Sequence, residues 1–516
     1  MVWFAHIDAV KVYVCHFLQY FEDKSDIKVK MADKTEYKEV PVSLSLSEME
    51  KSAKNGTNSD IANATSPDQH SNAQMINDTE NNDVVNQYIV YSKRWLMLFL
   101  FVMYSATNAF QWTELVIISN VIENYYSVST LTVTWTSMIY MVTYIPLIFP
   151  ASWFLQKKGL RKSVLIGSLG TCLGSWVKVI GTGNASWCFP VVFTGQTIVA
   201  ISQIFILGIP AELAAAWFPS TQVSTACAIG VFGNQLGIAL GFVLPPILVR
   251  NQEDLSNHYM IGDDLFNLFL GIGIITTVSF ILIVVAFKDR PPTPPSRAQE
   301  LGAVDQDSNY MSSILRLMKN RGFVLLLITY GLNVGVFYAI SSLLNTVVLK
   351  HFPGAQEDAG RMGLVIVLCG MMGSMICGII LDKTHQYKMT TLVIYFLAFV
   401  GMLLYTFTMR LGHIEVVYLF AGLLGFFMTG YLPVGFDFGV EITYPESEGT
   451  SSGLLNASAQ VFGIACTMAS ERIITIVDDD RIANSLLAAI LLIGTILTAL
   501  IKPDYRRQRA SNIPVA

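Results

Sequence analysis

The chain has 516 residues, 53% of them hydrophobic and only 14% charged. A soluble protein of this size carries about 25% charged residues, so a wholly water-exposed surface is excluded. The formal net charge of −5 says little, because the placement of charge along the chain matters more; no nucleic-acid partner is expected.

In chain order, residues 1–93 read as a disordered cytoplasmic tail. From about Lys51 to Asn86 it is rich in Asn, Ser and Asp and cannot bury enough apolar area to fold alone. Its first stretch, "MVWFAHIDAVKVYVCHFLQYF", lacks a basic n-region and a clean apolar run, so it does not read as a signal peptide. Met31, opening "MADKTEYKEV", is a second candidate start. Asn55, Asn63 and Asn77 begin glycosylation sequons that the topology below assigns to the cytoplasm as chance matches; Asn184, in "GNASW", falls in a short outer loop.

Twelve apolar runs follow, each long enough to cross a bilayer as a helix that satisfies its own backbone. They cover 95–121, 130–155, 162–181, 189–217, 222–249, 264–287, 322–349, 361–381, 390–409, 414–442, 450–475 and 483–501, with ends uncertain by several residues. Basic residues gather on one side: "KKGLRK" at 157–162, then Lys288, Arg290, Arg297, Arg316, Lys319 and Arg321, then Lys383 and Lys388, and finally Lys502, Arg506, Arg507 and Arg509. The opposite loops hold far fewer, chiefly Arg250, Lys350, Arg361, Arg410, Arg472 and Arg481. The positive-inside rule then places both termini and the central loop in the cytoplasm. That loop, 288–320, contains "RPPTPPSRAQ", which bars helix continuation and separates a six-helix half at 94–287 from another at 321–502, with a cytoplasmic tail at 503–516.

An internal repeat supports the division. Adding 226 carries Gln156-Lys157 onto Asp382-Lys383, Phe218-Pro219 onto Tyr444-Pro445 and Trp112 onto Tyr338. The expected fold is an all-α membrane protein of twelve transmembrane helices in two pseudo-symmetric six-helix halves, the architecture of the major facilitator superfamily. "LQKKGLRK" and "GIILDKTHQYK" resemble degenerate forms of that superfamily's Gly-x-x-x-Asp-Arg loop; Gln156 stands where the acid belongs, so no full charge relay is expected in the first half.

The first span carries polar residues in its middle, "YSATNAFQWTEL". Ser105, Asn108 and Trp112 share one helical face, with Gln111 beside Asn108. Such groups are costly in lipid, so that face should meet protein or a wet cavity. Trp112 lies away from the interfacial belt where Trp is usual. In the equivalent helix, "TYGLNVGVFYAISSLLN", Asn333 and Tyr338 sit at matching depth. Two rings facing each other across a central path would form an aromatic clamp suited to a cation that hydrogen-bonds poorly. Gln203, Asn234, Gln235, Asn456 and Gln460 add amides that could orient a polar head, interhelical hydrogen bonding being the alternative for each.

Buried acids are scarce. Glu114 lies about 200° around the helix from Trp112 and should miss the cavity. Glu212 and Asp437 fall near cytoplasmic ends, where structural pairing is favoured over a gate role for Asp437. Lys178, near the outer end of its span, is expected to snorkel. Without a carboxylate–His relay at mid-depth, uniport is expected rather than proton coupling. The seven cysteines show no metal or disulfide spacing, and no nucleophile–base set or phosphate loop suggests an enzyme or a cofactor.

Several segments resemble one family closely. "NAFQW", "TYIPL", "FGNQLGIALGF", "PPSRAQ", "ITYGLN", "FFMTGYLP" and "TYPESEGTSSGLLNASAQVFG" are similar to the feline leukaemia virus subgroup C receptor-related transporters, over about residues 93 to 509. The resemblance implies transport of choline, in some members ethanolamine, with haem also assigned. It implies that Trp112, Gln203, Tyr338 and Gln460 contact choline, and a plasma-membrane location with an organelle membrane as the alternative. Glu212 departs from the family, where a basic residue stands. The expected partners are a small cationic substrate and the lipid bilayer, with the protein a monomer. Haem is the rival substrate, but His6, His16, His70, His258, His351, His385 and His413 all fall in tails or loops, so a central haem site would have to use Met or Tyr or ignore the iron, with loop-mediated handling still open. A receptor that binds without transporting is the remaining alternative.

Overall fold

The computed structural model describes residues 90–219, 222–249, 258–293, 310–444, 446, 448–477, 479–506 and 509, all within one compact unit, Asn86–Ala516. The expectations for the tail, its sequons and Met31, for Arg250 and for "PPSRAQ" lie outside the described residues.

Among the described residues, eleven helices are long and apolar enough to cross a membrane. The remaining expected span, 95–121, is interrupted. Its helix α1 (Lys93–Thr113) ends early, a 3-10 turn covers Val116–Ile118, and α2 (Ser119–Tyr126) completes the crossing. β-branched residues crowd the break, and Ile118 leaves helical geometry at φ −118, ψ 32. Next come α3 (Thr130–Lys158) and α4 (Leu160–Ile180). The fourth expected span divides at Gly208 into α5 (Cys188–Leu207) and α6 (Ile209–Trp217), with Pro210 in the new first turn, where its missing N–H costs nothing. The half closes with α7 (Val223–Leu248) and α8 (His258–Ala286).

The linker is not all loop. Tyr310–Lys319 forms α9, whose Leu317 is buried and whose Arg316 holds Glu446. The second half follows as α10 (Arg321–His351), α11 (Gln356–Thr384), α12 (Tyr387–Thr408), α13 (Ile414–Thr443), α14 (Glu448–Val477) and α15 (Asp480–Leu500).

Helix packing repeats between the halves. The first span packs on the fifth as the seventh does on the eleventh, and the third packs on the sixth as the ninth does on the twelfth. Across the halves, the fifth span meets the eighth and the eleventh meets the second. Residues related by the internal offset also touch each other. Asn345 Nδ2 donates to Ser119 Oγ at 3.1 Å across 226 positions, and the Trp112 and Tyr338 rings are in contact. A residue can touch its own image only near the axis relating the halves, so the first and seventh spans line that axis.

The end of the bundle where the chain enters at Lys93 and leaves after Leu500 is here the terminal side, the other the distal side. Distally the halves are closed on each other. Asn345 Nδ2 also donates to Asn120 Oδ1 at 2.9 Å, Asn120 Nδ2 to Gln356 Oε1 at 3.0 Å, and Ser137 Oγ to Ser342 Oγ at 3.0 Å. Gly363 lets α11 approach α7 there: a Cβ in its place would stand 2.5 Å from the Phe242 ring. On the terminal side, the acid absent at Gln156 is supplied from after α8. Asp289 Oδ1 accepts the Arg161 backbone N–H at 2.9 Å, beside Gly159, whose φ of 86° suits glycine.

Candidate functional site: a cavity between the halves

A cavity of about 160 Å³ lies between the halves. Trp112 comes from α1, Tyr140 and Met141 from α3, Gln203 from α5, Asn234 and Gln235 from α7, Tyr338 from α10, and Asn456 and Gln460 from α14. Ser105, Ile206, Pro210, Gly230, Tyr330 and Phe436 extend the wall toward the terminal side, away from the distal closure. No Asp, Glu, Lys or Arg is among the lining residues.

Trp112 and Tyr338 meet edge to face, with centroids 5.5 Å apart and planes 74° apart. They form an aromatic corner in this conformation instead of two facing plates. Trp112 is 5% exposed, and Gln460 Nε2 donates to the Tyr338 hydroxyl at 3.4 Å. Four buried polar atoms of lining residues have no hydrogen-bond partner: Ser105 Oγ, Tyr140 OH, Asn234 Nδ2 and Gln235 Oε1. Such groups ordinarily pair with protein or water, so these atoms are free to hydrogen-bond whatever occupies the cavity.

Of the eight residues expected at the site, the structure brings together Trp112, Tyr338, Gln203, Gln460 and Asn456. Asn108, Gln111 and Asn333 are not in the wall. Asn108 Nδ2 donates to Thr171 Oγ1 and to the Val199 carbonyl, both at 3.0 Å. Gln111 accepts from Ser175 Oγ at 3.1 Å and donates to the Thr107 carbonyl at 3.1 Å. Both turn inward to bind α1 to its neighbours, because an amide there has backbone and hydroxyl partners within reach. Asn333 is fully buried on α10. Glu212 and Asp437 are exposed and also outside the wall.

Lys178 corrects another expectation. It does not snorkel: it is 1% exposed and bonded to Glu114, itself fully buried. A carboxylate one helix away offers the ammonium a partner inside the bundle, where snorkelling would have offered only the interface.

Sequence reasoning missed Tyr140, Met141, Tyr330, Phe337 and Phe436 as lining residues. One had a usable signal: Tyr140 is a mid-span aromatic like Trp112.

A twelve-span bundle closed at one end around a central cavity has the form of a membrane transporter. The family model of the Major Facilitator Superfamily matches residues 95–467. A bacterial homologue of the human lysosomal transporter Spinster shares the fold, with a TM-score of 0.62 at 14% identity over 81% of this chain and 99% of that one. The fucose:proton symporter FucP of E. coli does so with a TM-score of 0.56 at 14% identity, over 79% and 98%. The zebrafish (Danio rerio) choline/ethanolamine transporter flvcr2a is 51% identical over 82% of this chain and 89% of its own length. The human choline/ethanolamine transporter FLVCR2 is 51% identical over 82% and 80%, and mouse (Mus musculus) FLVCR1, with the same description, 49% over 80% and 76%. The chain belongs to the major facilitator superfamily and, within it, to the family of the FLVCR1 and FLVCR2 transporters.

Proposed function

We propose that the chain carries choline, and ethanolamine with it, across a membrane by alternating access as a uniporter. The observation that carries this reading is an uncharged cavity whose deepest contact is an aromatic corner with one ring from each half. A quaternary ammonium has no N–H to donate to a hydrogen bond, and π faces attract it at roughly 0.5–2 kcal/mol each. In this reading Trp112 and Tyr338 hold the ammonium, while Gln203, Gln460 and Asn456 orient the hydroxyl. Asn108 and Gln111 support the helices behind. The names of the relatives at about half identity point to the same substrates.

With both rings donated across the pseudo-symmetry axis, a rocking of one half against the other would expose the site to each side in turn. No acid stands in the wall to exchange a proton, which favours uniport driven by the gradient and, for a cation, by membrane potential. In this reading the terminal side, richer in basic residues, faces the cytoplasm, the membrane is the plasma membrane and the protein acts as a monomer. Haem is the weaker substrate. No His or Cys lines the cavity, so a haem iron there would have to use Met141 or a wall tyrosine such as Tyr140.

The test is uptake of labelled choline into liposomes carrying the full chain. Uptake without a pH gradient, faster with a negative interior and competed by ethanolamine but not haem, is expected. Stabilisation by choline without tracer movement would make the protein a receptor. A requirement for a proton gradient would end the uniport reading.

A further inference from the structure

The cavity wall carries no charge, yet a buried Glu–Lys pair lies behind it. Glu114 follows Trp112 by two positions and is 0% exposed. One of its carboxylate oxygens accepts from Lys178 Nζ, and the other has no partner. Lys178 also donates to Gln196 Oε1 at 3.2 Å and stands 5.5 Å from the centre of the Phe269 ring.

The pair is oriented. Glu114 adjoins α1, which supplies Trp112 to the cavity. Lys178 belongs to α4 and Phe269 to α8, and neither helix lends a residue to the wall. The carboxylate is therefore on the cavity side and the ammonium behind it. Gln196 fixes the arrangement: it accepts from Lys178 and donates through Nε2 to the backbone carbonyls of Gln111 at 2.6 Å and Thr136 at 3.3 Å, on the two wall helices.

We propose that the Glu114–Lys178 pair is a specificity device, a buried dipole whose negative end, behind Trp112, biases an uncharged cavity toward cationic over neutral ligands. The proposal rests on reading the cavity as an ammonium site. A lone carboxylate in this place would be costly to bury and would hold a cation too firmly to release it. Paired with Lys178, it leaves a field that falls off faster with distance, enough to discriminate without trapping. Trp112 and Tyr338 supply the contact, and the pair supplies the sign.

The experiment compares choline with its neutral carbon isostere, 3,3-dimethylbutan-1-ol, as inhibitors of labelled-choline uptake by the full chain. The quantity read is the ratio of their half-inhibitory concentrations. Damage to packing weakens both ligands together and leaves the ratio in place, whereas loss of the field moves it. In Glu114→Gln, with Lys178 uncompensated, the preference for choline should fall at least about tenfold. That variant can misfold, because breaking a buried pair leaves a buried charge. The double variant Glu114→Gln/Lys178→Gln keeps two groups able to bond each other and restores neutrality; its preference should fall about three- to tenfold. An unchanged ratio in the folded double variant overturns the proposal and leaves choline transport standing. If the unaltered protein neither transports choline nor is stabilised by it, the parent reading fails first.

Discussion

Replacing Trp112 or Tyr338 with alanine tests the aromatic corner, and the contact between the rings sets how the two replacements should combine. One cation–π contact is worth about 0.5–2 kcal/mol, and about 1.4 kcal/mol is tenfold, so losing one contact raises the half-saturating choline concentration by about 2- to 30-fold. The rings, however, back each other at 5.5 Å and 74°, a contact worth about 0.5–1.5 kcal/mol in itself. Removing the indole frees the phenol ring to leave its place, and removing the phenol ring does the same to the indole. Each single alanine variant should therefore lose most of both cation contacts, about tenfold or more. The double variant should fall well short of the product of the two. Phenylalanine at either position should retain more activity than alanine. The assay is the initial rate of labelled-choline uptake against concentration, normalised to protein in the membrane. Normal uptake by both alanine variants would remove the corner from the mechanism; multiplicative losses would show two rings acting independently.

Gln203→Ala and Gln460→Ala should do less harm than the ring variants and shift the choice between methylated and unmethylated amines, read by competing choline uptake with ethanolamine. Asn345→Ala removes hydrogen bonds to Ser119 and Asn120, each worth about 0.5–1.5 kcal/mol net. It should favour a distally open state, seen as faster labelling of a cysteine placed at Ser342 by an impermeant reagent from that side; unchanged labelling would refute a latch. On the terminal side, hydrogen bonding from Arg316 holds the Glu446 carboxyl below its ordinary 4.5. A depressed carboxyl contributes fully above that ordinary value and is lost as pH falls through the lower one. Docking of α9 should thus be flat from neutral pH to about 4.5 and weaken only below it, and Glu446→Gln should loosen α9 at neutral pH, as hydrogen exchange across Tyr310–Lys319 would report.

The spans were legible because a bilayer demands about 20 apolar residues from each helix, a signal that survives in any sequence of this class. The repeat was legible because equivalent residues kept their spacing: the 226 offset that relates Trp112 to Tyr338 also relates Ser119 to Asn345, which hydrogen-bond across the axis. Direction within a helix was harder to read. Asn108 and Trp112 share a face by spacing, yet Asn108 turns to Thr171 and Val199 while Trp112 turns to the cavity. A four-residue separation leaves an angular difference that the position of the neighbouring helix resolves, and that position is tertiary. Lys178 misled for a related reason. Its depth was readable, but its partner is 64 residues away on another helix, and pairing over such a distance leaves no local trace.

The bonds closing the distal side bear on whether this arrangement can cycle. Ser137–Ser342, Asn345–Ser119, Asn345–Asn120 and Asn120–Gln356 join neutral groups. At about 0.5–1.5 kcal/mol net each, they hold the closed state by a few kcal/mol, a gap that substrate binding and thermal motion can cross. Buried ion pairs between the halves would strand a charge on each opening, at about 3–5 kcal/mol per broken pair. The one fully buried pair described above, Glu114–Lys178, lies within the first half and need not break when the halves separate. On the proposed alternating-access reading, neutral contacts between the halves and a Glu–Lys pair fixed inside one of them would let the bundle open while the electrostatic character of its cavity stays the same.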